Sequence, residues 1–161
     1  MSPEHPSDPL RPEDFLPSLN LPQPRLKFAR EGQKLMIWDR LRGKYLRLTP
    51  EEWVRQHVLH YLQNQFAVPA AAIATEAGFK LNGMLRRSDI LVLKENKPCL
   101  LVECKAPKVK INQQVFDQVF RYNRELNCRY IALSNGLEQV FATVQQGELR
   151  FLKTLPTYRQ W

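Results

Sequence analysis

The stretch Arg86–Pro107, RRSDILVLKENKPCLLVECKAP, constrains this chain more than any other. Two apolar runs flank a short polar segment and read as paired strands over about 88–93 and 98–105. The second run, Cys99–Val102, is apolar enough to be buried, yet it leads into Glu103, Cys104 and Lys105. An ionised side chain buried without a partner costs several kcal/mol. A core strand that ends in a carboxylate and an ammonium on one face therefore needs something there to offset that cost.

If Glu95-Asn96-Lys97 form the loop, Lys94 pairs with Pro98 and Asp89 lies directly across from Glu103. Such a pair shares a face, with Cβ atoms about 4.5–5.5 Å apart. Lys105, two residues on, points the same way. A two-residue loop shifts the register and separates the carboxylates, so the juxtaposition depends on loop length. Two carboxylates this close repel, and a divalent cation relieves the repulsion by taking an oxygen from each. Mg²⁺ suits this set, with Mn²⁺ able to substitute, because it binds one or two carboxylates and keeps waters and phosphate oxygens. Asp89 and Glu103 are the expected ligands, joined by the backbone carbonyl of Cys104. Lys105 then polarises an attacking water or steadies charge on a phosphate. The competing reading is a strand-end salt bridge between Lys105 and either carboxylate.

The rest of the chain sets this hairpin in an α/β frame. Residues 1–24 hold seven of the twelve prolines. They read as an extended or disordered tail, with Phe15, Leu16, Leu19 and Leu21 available to dock on the body. Residues 25–161 read as a single domain. KLMIWD and KYLRLT flank RLRG, a hairpin closed around Gly43. Thr49-Pro50-Glu51-Glu52 starts a helix that runs to about Gln65, with Val54, Val58, Tyr61, Leu62 and Phe66 on its inner side. A short helix over Ala70–Glu76 and a strand at about 78–84 follow. INQQVFDQVFRYNREL, residues 111–126, is a second helix with Ile111, Val115, Val119, Tyr122 and Leu126 on one stripe. CRYIALSNG, 138–144 and 148–152 complete the strands. This succession predicts an α/β domain with a mixed sheet.

Charge narrows the partners. The formal charge is +8, and residues 25–161 carry 23 basic against 12 acidic residues. A basic domain favours a polyanion, nucleic acid before an acidic membrane surface. Arg86, Arg87, Lys105, Lys108 and Lys110 flank the hairpin end and either track a phosphate backbone or keep a sheet edge soluble. No apolar run is long enough to span a membrane. No secretion signal is legible, so a cytoplasmic location is expected. Cys99, Cys104 and Cys128 lie in strand-like stretches without CxxC spacing and read as free buried thiols. His57 and His60 read as solvent or rim residues, and Trp38, Trp53 and Trp161 as core or docking residues. Asp117, Arg121 and Glu125 form i, i+4 pairs on a solvated helix face.

Asp89, a short hairpin and Glu103-Cys104-Lys105 resemble the PD-(D/E)XK nuclease signature. DILVLKENKPCLLVECKAPKVKINQQVFDQVFRYN, followed by YIALSNG, is similar to the N-terminal nuclease domain of type I restriction enzyme R subunits and its small stand-alone relatives. The resemblance covers roughly Thr49–Leu152. It implies a restriction-endonuclease-like mixed β-sheet flanked by helices, with Asp89 and Glu103 holding Mg²⁺ and Lys105 as the catalytic lysine. It also implies a helper glutamine four residues before a tyrosine, here Gln118 and Tyr122, with Gln114 one turn earlier; Tyr122 falls equally on the apolar stripe. A glutamate of the first helix serves the site in such proteins. Glu51 lies in line with Val58 and Leu62, while Glu52 sits at the edge and is free to close a capping box with Thr49. Ser88 replaces the proline of the motif. No GxxxxGK[ST] loop exists, so no ATP-driven motor resides here.

The implied function is a Mg²⁺-dependent nuclease hydrolysing DNA phosphodiester bonds with a metal-activated water. The alternatives are a nuclease-like domain that binds nucleic acid without cutting, a partner-binding module acting through the tail, and a purely structural basic domain. Cutting both strands together needs two sites, which a homodimer supplies.

Overall fold

The computed structural model describes residues 11–74 and 89–161. Three antiparallel strands, β1 (Phe28–Glu31), β2 (Lys34–Asp39) and β3 (Lys44–Arg47), form a small sheet in that order. The β2–β3 turn falls on RLRG as expected, and Asp39 closes it: its Oδ1 accepts the N–H groups of Leu41 (2.9 Å) and Arg42 (3.0 Å). β1 has no counterpart among the expected elements. Its four residues are too short for a period-2 signal, and pairing with β2 makes them a strand.

Helix α1 (Pro50–Gln65) starts where Thr49-Pro50 puts it, and the Thr49 hydroxyl accepts the Glu52 N–H at 3.0 Å. Val54, Val58, Leu62 and Phe66 enter the core, with Tyr61 half-buried beside them. Trp53, Arg55, Gln56, His57 and Leu59 are buried as well. The helix is covered twice, by the large sheet on one side and by the small sheet with residues of the proline-rich segment on the other. His57, expected at the rim, is 3% exposed. Its Nδ1 bonds to the Trp53 carbonyl at 2.8 Å and its ring stacks edge-on against Trp53, so burial leaves that ring nitrogen paired.

Of the expected helix over Ala70–Glu76, residues 70–74 hold a single 3-10 turn, Ala70–Ala72, ending where Ile73 bridges to Val92, and residues 75 and 76 lie outside the described residues. The expected strand at 78–84 lies outside the described residues. The main sheet holds β4 (Ile90–Lys94), β5 (Lys97–Cys104), β6 (Tyr130–Ser134), β7 (Gln139–Gln145) and β8 (Glu148–Leu152), in that order. Only β5 and β6 are parallel, because helix α2 (Gln113–Leu126) carries the chain across between them. Asn112 caps α2 through Val115 N–H. At its other end Asn127 takes φ 55°, and the buried Asn123 amide pairs with both backbone groups of Cys128. Cys128 therefore sits in that turn, ahead of the strand. All three thiols are free, with Cys99 half-buried.

Strand alternation sorts the core into two layers. Val92, Leu100, Val102 and Cys104 face α1; Leu91, Leu101, Ile131 and Leu133 face Phe116, Val119 and Leu126 of α2. A mixed sheet flanked by helices is thus the observed fold. Among the described residues no helix is long and apolar enough to cross a membrane.

Residues 11–24 lie along this body. Leu16 is buried and Leu19 and Leu21 pack on the core, whereas Phe15 stays 53% exposed. Trp53 Nε1 donates to Pro17 O (3.1 Å), and Asn20 N–H donates to Gly136 O (2.8 Å). Gly136 has φ +84°, and a Cβ there would stand 2.6 Å from Leu19 Cδ2 and 3.1 Å from Val54 Cγ2. Gly136→Ala is expected to destabilise the protein by about 1–3 kcal/mol in denaturant melts, through backbone strain and displacement of Leu19. The same variant should speed proteolysis within residues 11–24. A neutral melt with unchanged cleavage would show that this segment contributes nothing to stability.

Candidate active site

The hairpin reaches the expected pairing by another route. Its loop has two residues, not three: Glu95 and Asn96, at φ 52° and 61°, connect Lys94 to its partner Lys97. That register alone would separate Asp89 from Glu103. Between Val92 and Leu93 the register shifts, because Pro98 faces Leu93 while Leu100 faces Val92, leaving Cys99 as a bulge. Beyond it the pairs are Val92–Leu100, Leu91–Leu101 and Ile90–Val102. One step further sets Asp89 opposite Glu103, on the face turned toward α2.

Asp89 Oδ2 accepts the Cys104 N–H at 2.7 Å, which ties the carboxylate to the strand end. The N–H and C=O of an extended residue point to the same side, so the Cys104 carbonyl faces Asp89 too. Its thiol lies on the α1 side, and burial raises its pKa well above the usual thiol value. Lys105 Nζ stands 3.4 Å from Glu103 Oε1, on the same face. Burial pushes the Asp89 pKa up, against the opposing Cys104 N–H; Glu51 adds to the rise, and the value reaches about 6. Burial and then the charge of Asp89 push Glu103 up to about 7, despite Lys105. Two half-buried carboxylates thus share this strand end, with Lys105 offsetting only part of their rise.

The helix-1 glutamates separate cleanly. Glu52 accepts from Arg55 Nε (3.1 Å) and Gln56 Nε2 (2.9 Å), and Arg55 reaches on to Asp39 in β2. Only its backbone N–H serves the Thr49 cap, so no reciprocal capping box forms. Glu51 is exposed and near enough to raise both Asp89 and Glu103. Of the two glutamates, Glu51 faces the carboxylate pair and Glu52 organises the buried network beside it.

A cleft of about 340 Å³ opens between β5 and α2, lined by Glu103, Lys105, Gln118, Val119, Arg121 and Tyr122. Gln118 is exposed at its wall, and Tyr122, half-buried, serves both cleft and core. Arg121 is exposed, as expected of a solvated face, and it also borders this cleft; its Nε donates to the Asp117 carbonyl (3.5 Å), while the Asp117 carboxylate accepts from Gln113. Lys108 and Lys110 are exposed on the loop from β5 to α2, which Asn135 pins by donating to Val109 O. Gln114 is exposed in the first turn of α2. Arg86 and Arg87 lie outside the described residues.

A profile described as type I restriction enzyme R protein N terminus (HSDR_N) matches residues 50–156, from the start of α1 to beyond β8. The chain belongs to this family. Among curated proteins and solved structures, none matches significantly.

In this R-protein N-terminal domain, the donor set can be tested against the expected ion. Among the described residues no three His, Cys, Asp or Glu side chains converge into a group that could hold a metal ion, so a site here would rest on two carboxylates. Two half-buried carboxylates, with the Cys104 carbonyl on the same strand edge, fit Mg²⁺, which needs few protein ligands and keeps its waters. Two contributors escaped sequence reasoning. Arg121 was hidden by its i, i+4 acids. Arg55, buried and cationic, lowers the Asp89 pKa from the α1 side, and only the Asp39–Arg55–Glu52 spacing across two elements would have disclosed it.

Proposed function

We propose that this R-protein N-terminal domain is a Mg²⁺-dependent nuclease that hydrolyses DNA phosphodiester bonds. The observation that carries the reading is Asp89 beside Glu103, both with raised pKa values, with Glu103 lining a cleft together with Lys105 and Gln118. Asp89, Glu103 and the Cys104 carbonyl would hold the ion, with Mn²⁺ able to replace Mg²⁺. When bound, the ion would acidify a water and polarise a phosphate oxygen. Lys105 donates to the phosphate or aligns the attacking water, and Gln118 orients either from the opposite wall. Glu51 adds negative charge that draws a cation to the pair. Lys108, Lys110 and Gln114, with Arg86 and Arg87, hold the flanking backbone. The chemistry uses no ATP. A homodimer would bring two clefts to a duplex, and a cytoplasmic location suits the substrate.

The Glu103–Lys105 contact also suits a domain that binds nucleic acid without cutting it. Cleavage of supercoiled plasmid and labelled single strands in Mg²⁺, Mn²⁺ or EDTA separates the two. Metal-dependent cutting is expected, falling at least about a hundredfold in Lys105→Ala and in Asp89→Ala. Salt-sensitive binding with no cutting in either metal would assign the domain to recognition alone.

A further inference from the structure

We propose that the outward face of the β1-β2-β3 sheet is a second nucleic-acid surface, a stacking platform for single-stranded DNA apart from the cleft. The sheet precedes residue 50 and so lies outside the family match. Strand register assigns its faces. Phe28, Ile37 and Leu46 pair across one face and pack on or around Trp53. The alternate positions turn away: Trp38 pairs with Tyr45 and Met36 with Arg47, while Ala29 and Lys34 extend the face through β1 and β2. Lys27, whose carbonyl accepts the Trp38 N–H at 2.9 Å, continues the Trp38–Tyr45 row.

Core packing does not explain two large aromatic residues on this face. Trp38 and Tyr45 meet edge-on at 5.0 Å, Tyr45 is 41% exposed and Trp38 half-buried, and among the described residues neither ring joins any of the three hydrophobic clusters. Trp38, expected in the core or at a docking contact, therefore stands on the outside. Cations surround the rings. Residues 25–48 contain eight Lys or Arg and two acids, and one acid, Asp39, is buried against Arg55. On the outward face Lys27, Lys34 and Arg47 outnumber Glu31.

An exposed Tyr45 beside a half-exposed Trp38, interleaved with cations, matches the two needs of a single strand: base faces to stack and phosphates to neutralise. A duplex hides its base faces. A protein partner suits the rings less well, because lysine is depleted at protein interfaces. The choice of DNA over RNA rests on the reading of the cleft; the platform itself does not.

Fluorescence anisotropy of a labelled oligo(dT) of about 20 nucleotides, titrated with the full chain in EDTA, tests this without cleavage. Single-strand binding is expected to outrank duplex and oligo(rU). With three phosphate contacts, log K should fall with log salt at a slope of about −2. Trp38→Ala with Tyr45→Ala should weaken binding roughly tenfold or more. Lys27→Glu with Arg47→Glu should flatten the salt slope, and it carries the test if the aromatic variant fails to fold. Quenching of tryptophan emission by the oligonucleotide should vanish in Trp38→Phe.

Binding unchanged in both double variants overturns the platform. Tighter binding of oligo(rU) or duplex through these residues overturns the single-stranded DNA assignment. Self-association lost in Trp38→Ala makes the face a contact between copies instead. Binding through Trp38 with no plasmid cleavage would sink the nuclease reading and leave the platform standing; the reverse pattern would do the opposite.

Discussion

In EDTA at pH 8, Asp89→Asn is expected to melt several degrees above the wild-type protein while losing Mg²⁺-dependent cleavage. Burial raises the Asp89 carboxyl from 3.8 to about 6 and lifts Glu103 to about 7. Between the unfolded and folded values the native state binds more protons than the unfolded one. Stability therefore falls as pH rises through about 4 to 7, and at pH 8 the whole penalty is present. Two units on one carboxyl correspond to roughly 2–3 kcal/mol. At about 2–4 °C per kcal/mol this gives several degrees for a chain of this length. Asparagine keeps an oxygen for the Cys104 N–H, so the strand end stays tied. Calorimetry at pH 5 and pH 8, with and without Mg²⁺, reads every part of this. Wild type should gain from Mg²⁺ at pH 8 and little at pH 5, and Asp89→Asn at neither. An Asp89→Asn melt at or below wild type at pH 8 would show that the pair is not strained.

Removing the Arg55 side chain should cost about 3–5 kcal/mol, the largest stability loss expected from a single change here. Burial pushes Asp39 up, but the Arg42 N–H and the Arg55 guanidinium outweigh it and hold its carboxyl below the usual value. Asp39 has no exposed surface, and Arg55 is 7% exposed. Without Arg55, two carboxylates, Asp39 and Glu52, lose their shared cation. In Arg55→Met, urea melts should show the loss, and Asp39→Asn added to Arg55→Met should recover much of it. Arg55 also opposes the rise at Asp89. In Arg55→Met the pH at which Mg²⁺ begins to stabilise the protein should move upward, an effect that a packing role alone would not produce. A stability loss under about 1 kcal/mol would mean that water replaces the guanidinium.

What the sequence disclosed follows the range of the interactions involved. Thr49-Pro50 acts within one turn, and α1 begins there. Helix α2 begins at Gln113, after the expected start at Ile111, because Asn112 caps it. The α2 stripe acts within four turns, and Val119 and Leu126 are buried as read. Alternation puts Glu103 and Lys105 on one face, but placing Asp89 opposite Glu103 needs the strand register, which comes from a bulge at Cys99 and not from the three-residue loop that the sequence suggests. Glu95 at positive φ gives no sequence signal, since left-handed turns favour Gly and Asn. The burial of Arg55, Gln56 and His57 was illegible for another reason. A helical period reports one buried face, and the second cover on α1 comes from β2 and residues 11–24, distant in sequence. Arg121 belongs to neither case; its spacing to Asp117 and Glu125 suggests ion pairs, whereas its Nε donates to the Asp117 carbonyl and the residue borders the cleft.

The bulge at Cys99 frees the hairpin tip from the chemistry below it. Thirteen residues separate Asp89 from Glu103, an odd number, so antiparallel pairing must leave one unmatched. A three-residue loop would absorb it at the tip; here a two-residue loop passes it down to Cys99. The carboxylate pair requires only that the strands below the tip keep their register. An insertion between Glu95 and Asn96 lengthens the loop and leaves that register in place, whereas a lone insertion within either strand turns one carboxylate to the opposite face of the sheet unless a second irregularity compensates. The tip can therefore vary in length while the strands beneath it cannot.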